Sequence, residues 1–557
     1  MRQDPDRVPR GALSVSEPAA RGRRVQDLLP PLALRSNGDR APAESPRSNA
    51  RLLTAAALAG LLLVSLYLRT RSIYASFWID EGLSVGIASH PLFDIPGVLR
   101  QDGSPPLYYM VLHVWMDVFG SGEGETHGLS LLFALAAIPA GLWAGWSLFG
   151  RRVGLICAVL VAVNPFLTNQ AQETRMYALA ILLGLLATAV FIHAFVFGRR
   201  RYLPALAVLL AVMLYTHNWA IFFTAGLAAA VLVCLRETPD RRPLLRDAAL
   251  AFGGALLLFA PWIPSLAYQA THTGAPWSEA PALEAPLRGL SSLLGGDPPA
   301  VALLLGGGAG LVAVVSRGVH RERTAVLAAI TVTVGTLVAA WVFSQISPAW
   351  TTRYLSLALG PLLFVAAIGL GRAGRLGLVA LALVAFMWAS PKDFDDKGNV
   401  QDVSREVAPL LGRGDLVVST HPERVPVLHY YLPPGLRYAT PLGPVKDVGV
   451  MDWRDALPRL REARPRGRLS PLLANLQVGS RVLLVRPIIS NPDDWDAPWT
   501  RAVRRRSTQW GRALDRDSRF VRIATAPRFG CRLRPEGTPR ARCIGVRAVV
   551  YTKTEAR

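Results

Sequence analysis

Short stretches of this chain carry the residue types able to do chemistry. Ser76-Phe-Trp-Ile-Asp-Glu-Gly-Leu-Ser-Val-Gly86 sets a carboxylate pair, Asp80 and Glu81, behind aromatic residues and ahead of a glycine. Gln101-Asp-Gly-Ser-Pro-Pro-Leu-Tyr-Tyr109 brings Asp102 and Tyr108 around a proline pair that breaks the chain. Asn164–Tyr177 crowds Glu173, Arg175 and Tyr177 where a loop feeds an apolar run, Tyr215-Thr-His-Asn218 holds His217, and Arg353-Tyr354 heads a later run. If these stretches meet, their chemistry suits transfer from a lipid-linked phosphate. A cation holds the phosphate leaving group, a carboxylate takes the proton of an acceptor hydroxyl, and aromatic faces receive a sugar ring.

The elements that must position them are membrane helices. Of 557 residues, 51% are hydrophobic and 18% charged, against about 25% charged in ordinary soluble domains. Apolar runs of bilayer-crossing length fall at 52–68, 128–149, 153–168, 177–197, 202–216, 219–235, 247–267, 300–316, 324–344, 354–371 and 375–390, which predicts about eleven spans. The run 106–119 is shorter and carries His113 and Asp117. Read as an amphipathic helix at the outer interface, it lets Arg151-Arg152, Arg199–Arg201, the Arg236–Arg246 loop, Arg317–Arg323 and Arg372–Arg375 all face the cytoplasm, as basic loops should. Read as a span, it inverts every one of them. The chosen topology puts all the chemical stretches on the outer face, and membrane-embedded charge marks function by default. Arg69 and Arg71 are the exception to the charge rule.

Residues 1–50, rich in Pro, Ser and Arg, read as a disordered basic cytoplasmic arm, 51–390 as the membrane domain, and 391–557 as a small extracytoplasmic α/β domain. In the last, strands are expected at Asp415–Thr420, Arg481–Arg486 and Val546–Tyr551, and helices at Asn399–Leu411, Trp453–Glu462 and Trp499–Leu514. The chain carries +22 net charge. Loop arginines explain much of this without nucleic acid. A basic outer domain would attract anionic lipid heads, phosphates or an acidic wall polymer, or the excess reflects an Arg-rich composition. Cys157 and Cys234 lie in apolar runs; Cys531 and Cys543 could pair outside the cytoplasm.

Trp-Ile-Asp80-Glu81-Gly resembles the Asp-Glu signature of the multispan, C-type-fold (GT-C) glycosyltransferases. Asp102-Gly-Ser-Pro105-Pro106-Leu-Tyr-Tyr resembles their Pro-Pro-Leu motif. Gln172-Glu173-Thr-Arg175-Met-Tyr177 resembles the Gln-Glu-x-Arg-x-Tyr signature of bacterial family-39-like members, kin of the protein O-mannosyltransferases and lipid A aminoarabinose transferases. The resemblance covers roughly 50–390. It implies a polyprenyl-phosphate-monosaccharide donor and an inverting transfer at the outer leaflet. Asp80 would be the catalytic base, with Glu81 beside it. Arg175 and Arg353 would hold the donor phosphate, and Asp102, Tyr108, Glu173, Tyr177, His217 and Tyr354 would contact substrate. Two positions depart from the pattern. Ser104 stands where some relatives have a basic or metal-coordinating residue, so no metal ligands are assigned although a divalent metal stays open. His127 stands where relatives commonly have Arg.

Blander roles remain for several of these residues. Glu173 and Arg175 could form a structural ion pair, Asp102 could cap the Gly-Ser turn, His217 could be a hydrogen-bonded interface histidine, and Arg353-Tyr354 could anchor a span end. Tyr108, Tyr109 and Trp115 could belong to an interfacial aromatic belt. The expectation is a membrane glycosyltransferase moving a mannose or arabinose unit to an envelope glycan, lipid or protein, with no nucleic-acid partner. The alternatives are a lipid-linked-sugar flippase or transporter, which would place ionisable groups near the midplane, and an assembly subunit that binds cell-wall polymer.

Overall fold

The computed structural model describes residues 46–389, 397–489, 495–527 and 545–555. The chain divides into a short N-terminal unit ending at Thr54 and a main unit, Ala55–Arg557. The helical region and the α/β region that follows it belong to that one main unit. The chain is a polytopic helical membrane protein with a C-terminal α/β region.

Eight helices are long and apolar enough to cross a membrane: Arg51–Thr70, Glu123–Phe149, Tyr177–Val196, Ala220–Glu237, Arg241–His272, Asp297–Arg317, His320–Ile346 and Thr352–Arg372. Each matches an expected span. The other expected spans are helices that stop short of that length. The run 153–168 breaks at Pro165, whose ring nitrogen has no proton to donate. There Asn164 Oδ1 accepts from Leu167 N at 2.9 Å and starts a new helix, so the run becomes Arg151–Val163 and Pro165–Gln170. Leu203–Thr216 is ended by His217 in extended conformation, and Gly374–Ala389 has 16 residues. Leu107–Phe119, 13 residues long, reaches about 20 Å, less than the roughly 30 Å of hydrocarbon.

Close helix crossings depend on missing side chains: a Cβ on Gly310 would lie 1.9 Å from the Gly369 carbonyl oxygen. Arg69 explains its own exception to the charge rule. Its guanidinium is fully buried and donates to the Ala134 and Val161 carbonyls at 2.8 and 2.6 Å, pinning the first membrane helix to two others.

The α/β region holds a six-stranded sheet: β1 (Leu416–Ser419), β2 (Arg437–Thr440), β3 (Gly443–Pro444), β4 (Arg481–Pro487), β5 (Phe520–Ala526) and β6 (Val546–Lys553), in the order β3-β2-β1-β4-β6-β5. β1 runs parallel to β2 and β4; β6 is antiparallel to β4 and β5. β1 is buried at every position, and its first three residues are apolar without alternation. One face of the sheet packs with Val400, Val403, Val407 and Leu428, the other with Leu473, Trp510 and Leu514. The three strands read from sequence are β1, β4 and β6. Cys531 and Cys543 lie outside the described residues; Cys157 and Cys234 are buried and free.

Candidate active site

The carboxylate pair opens the short helix Ile79–Ala88, with Trp78 as its N-cap. That position suits anions, because the first-turn N–H groups and the helix dipole both favour negative charge. Glu81 Oε2 accepts from Trp78 N at 3.3 Å. Its Oε1 accepts from Thr174 N at 2.9 Å and Lys397 Nζ at 2.8 Å and lies 2.6 Å from His127 Nε2. His127 Nδ1 donates to the Ile73 carbonyl. Burial opposes ionisation of Glu81, but Lys397 and His127 outweigh it and hold the carboxyl at about 2. Glu81 has no exposed surface. Its carboxylate is enclosed by these protein donors.

Asp80, one residue earlier, keeps accessible surface. Its Oδ2 lies 3.1 Å from Arg353 Nη2, and the Arg353 guanidinium stacks 4.9 Å over the Trp78 ring. Arg175 Nη1 donates to the Asp80 carbonyl at 3.3 Å and Ser84 Oγ at 3.1 Å, both on the same helix. One arginine thus pairs with the Asp80 carboxylate and the other with its backbone carbonyl. Around them Trp78 Nε1 and the Nε atoms of Arg175 and Arg353 are buried without a hydrogen-bond partner among the described residues. Unmet buried polar atoms are costly, and here they cluster where an anion would satisfy the donors.

The loop Gln101–Pro106 is fixed from several directions. Gly103 turns the chain at φ +100°. Asn218 Nδ2 donates to the Gly103 carbonyl at 2.9 Å, Gln269 Nε2 to the Leu99 carbonyl at 2.8 Å, and Trp453 N to the Gln101 carbonyl at 2.9 Å. Asp102 is raised in pKa by burial, against hydrogen bonding from Ser104 and the charge of Arg175. It therefore caps the turn while lying within the field of Asp80 and Arg175. Glu173 is half-buried and also raised, by burial and then by Glu81 and Asp80 against Lys397 and Arg353. No ion pair joins Glu173 to Arg175 among the described residues; the tie there runs from Arg175 N to the Glu173 carbonyl at 2.8 Å.

Tyr177, His217 and Tyr354 form an aromatic wall, with His217 4.9 Å from Tyr354 and 6.0 Å from Tyr177. Tyr177 backs Arg175 at 5.7 Å. His217 Nδ1 accepts from Trp219 N at 3.0 Å, so its proton sits on Nε2; burial, then Arg175 and Arg353, lower its pKa to about 3. Tyr108 is completely buried, and the hydroxyl of its neighbour Tyr109 accepts from Arg175 Nη1 at 3.4 Å. Among the described residues no group of three or more His, Cys, Asp or Glu is placed to hold a metal ion, and Asp80 and Glu81 are paired with cations.

Solved structures share this architecture. ArnT from Cupriavidus metallidurans in the apo state matches over 90% of this chain and 98% of its own, at 15% identity and TM-score 0.55. The same protein bound to undecaprenyl phosphate matches at TM-score 0.54. This chain has the GT-C fold. The oligosaccharyltransferase AglB from Archaeoglobus fulgidus, in complex with an inhibitory peptide and a dolichol-phosphate, matches at 10% identity and TM-score 0.50 over 78% of this chain and 69% of its own. The mycobacterial arabinofuranosyltransferase AftD matches at 15% identity and TM-score 0.51 over 91% of this chain but 42% of its own. No protein-family model and no curated protein matches the sequence.

In the GT-C core of this chain, the motif residues Asp80, Glu81, Arg175 and Arg353 lie together, with Asp102 and Glu173 in their field. Sequence reasoning missed Lys397, which reaches Glu81 from 316 positions away with no local signal. It noted His127 only as a departure; the structure makes it the partner of Glu81. Trp78 was visible as an aromatic before the acidic pair, but not as the surface under Arg353.

Proposed function

We propose that the protein is a membrane glycosyltransferase that moves one mannose or arabinose unit from a polyprenyl phosphate to a hydroxyl of an envelope glycan, lipid or protein. In this reading the N-terminus is cytoplasmic, residues 51–390 form the catalytic membrane domain, and 391–557 lie outside the plasma membrane. The observation that carries it is the Arg353–Asp80–Arg175 group, with the carboxylate 3.1 Å from one guanidinium and the other tied to the same helix. The Trp78 and arginine nitrogens beside it, without partners among the described residues, add donors for an anion. Lipid phosphates bound by ArnT and AglB, proteins of similar fold, support the same class of donor.

The chemistry follows from those positions. The donor phosphate competes with Asp80 for Arg353 and takes up Arg175, since phosphate matches a guanidinium fork as well as carboxylate does. Asp80, released from its partner, accepts the proton of the acceptor hydroxyl. The acceptor oxygen bonds to the anomeric carbon as the bond from that carbon to the phosphate oxygen breaks. The electron pair leaves with the polyprenyl phosphate, which both arginines neutralise. A single displacement inverts the anomeric centre. Glu81 does not touch the reactants; it holds the helix that presents Asp80.

The test is incubation of the purified protein in lipid vesicles with labelled polyprenyl-phosphate sugars and candidate acceptors. Transfer of one sugar with release of polyprenyl phosphate is expected. Movement of intact lipid-linked sugar across the bilayer without cleavage would identify a flippase instead.

A further inference from the structure

We propose that Lys397, contributed by the α/β region, is a positioning residue for the transfer: it completes the anchor of Glu81 and thereby fixes the helix that presents Asp80. The inference rests on the reading of Asp80 as proton acceptor.

Glu81 Oε1 is where separate segments meet. His127 arrives from the helix Glu123–Phe149, Thr174 N from the loop that carries Arg175, and Lys397 from the chain entering the sheet region. Lys397 Nζ also donates to the Gln172 carbonyl at 2.6 Å, so one ammonium joins the acidic helix to the arginine loop. The same helix is seated against the α/β region on another face. A Cβ on Gly82 would lie 2.5 Å from Val427 Cβ, and one on Gly86 would lie 2.2 Å from the Gly449 carbonyl oxygen. Leu83 packs with Met451 and Trp453 of that region. The helix therefore leans on the α/β region, and Lys397 is the one ionic tie between that region and the acidic pair among the described residues.

A buried carboxylate is stable only while its charge is matched. Facing Glu81 are His127, Lys397, the Tyr108 hydroxyl from Leu107–Phe119, Glu173 from the loop, and its neighbour Asp80. Of these, Lys397 and His127 favour the ionised form. Without Lys397, Glu81 takes up a proton at higher pH, and the anchor of Asp80 weakens with it.

The experiment compares wild type, Lys397→Met, Lys397→Arg and Lys446→Met, the last an exposed lysine of the same region, across pH in reconstituted vesicles. For Lys397→Met a fall in kcat of about a hundredfold is expected, with KM for the polyprenyl-phosphate donor nearly unchanged. Its acid limb should move up by about one pH unit or more. Lys397→Arg should restore much of both, and Lys446→Met should match wild type. An unchanged kcat, a kcat loss with the acid limb unmoved, or an equal loss in Lys446→Met would each overturn the inference. If wild type transfers none of the sugars, the proposed function fails and the positioning role in transfer with it; thermal unfolding then tests the Lys397–Glu81 anchor by itself. Lys397→Met should unfold below wild type by a margin that is widest near neutral pH and shrinks as pH falls below 4.5, the ordinary value of a glutamate. A margin that is absent or independent of pH would overturn it.

Discussion

At the scale of single residues, adjacent side chains divide the work. Asp80 and Glu81 share a helix turn, yet one keeps accessible surface beside two arginines and the other is sealed under His127, Thr174 N and Lys397. Arg353→Ala removes both the partner of Asp80 and one grip on the donor phosphate. Loss of a charge-assisted hydrogen bond of about 1.5–3 kcal/mol predicts a rise in donor KM of about tenfold or more, read from initial rates over donor concentration. Arg353→Lys should recover little of it, because an ammonium can neither fork onto phosphate nor stack on Trp78 as a plane. An unchanged KM in Arg353→Ala would remove Arg353 from the phosphate site. The motif residues were legible because their chemistry is written locally: a carboxylate doublet next to tryptophan, and an arginine entering a span. Which of the neighbouring tyrosines, Tyr108 or Tyr109, turns its hydroxyl to Arg175 is not legible in the sequence, because packing decides it.

Among the elements, the helix Ile79–Ala88 is held by close backbone approach. Gly86→Val forces a side chain onto the Gly449 carbonyl, where a Cβ would sit 2.2 Å away. Overpacking of this kind costs about 1–3 kcal/mol, so a lowered unfolding temperature and reduced transfer are expected together. Gly97→Ala, in the neighbouring helix with nothing within 4 Å of an added Cβ, should leave both unchanged. Equal effects of the two substitutions, measured by thermal denaturation, would contradict the seam. Most membrane helices were readable from length and apolarity alone. The break at Pro165 was not weighed against the apolar run around it. β2 and β3 are not legible for a different reason: they have four and two residues, and pairing of β2 with β1 and of β3 with β2, rather than their own pattern, makes them strands.

For the molecule as a whole, pH reports how the buried charges are spent. Glu81 is shifted from 4.5 to about 2 and His217 from 6.5 to about 3. Both are lowered on folding, so the unfolded chain binds protons first as pH falls, and stability drops. The contribution of His217 is fully present above 6.5 and is lost toward 3; that of Glu81 is present above 4.5 and is lost toward 2. Unfolding temperature should therefore be steady above neutrality and decline progressively from about pH 6.5 downward, with His217→Asn flattening the upper part of that decline. An acid decline below pH 6.5 that is as steep in His217→Asn as in wild type would contradict the charge state assigned to His217. The sequence announced a membrane domain and an α/β tail, but it could not announce that the tail supplies a side chain to the acidic pair, because ionic partners hundreds of residues apart leave no periodic trace.

The most direct measurement is sugar transfer by wild type and Asp80→Asn, side by side in vesicles with the same labelled donor. Asparagine keeps the size of the side chain and cannot take a proton, so transfer should fall by about a hundredfold to ten-thousandfold while folding and binding of the lipid phosphate persist. Wild-type turnover in Asp80→Asn would contradict the account.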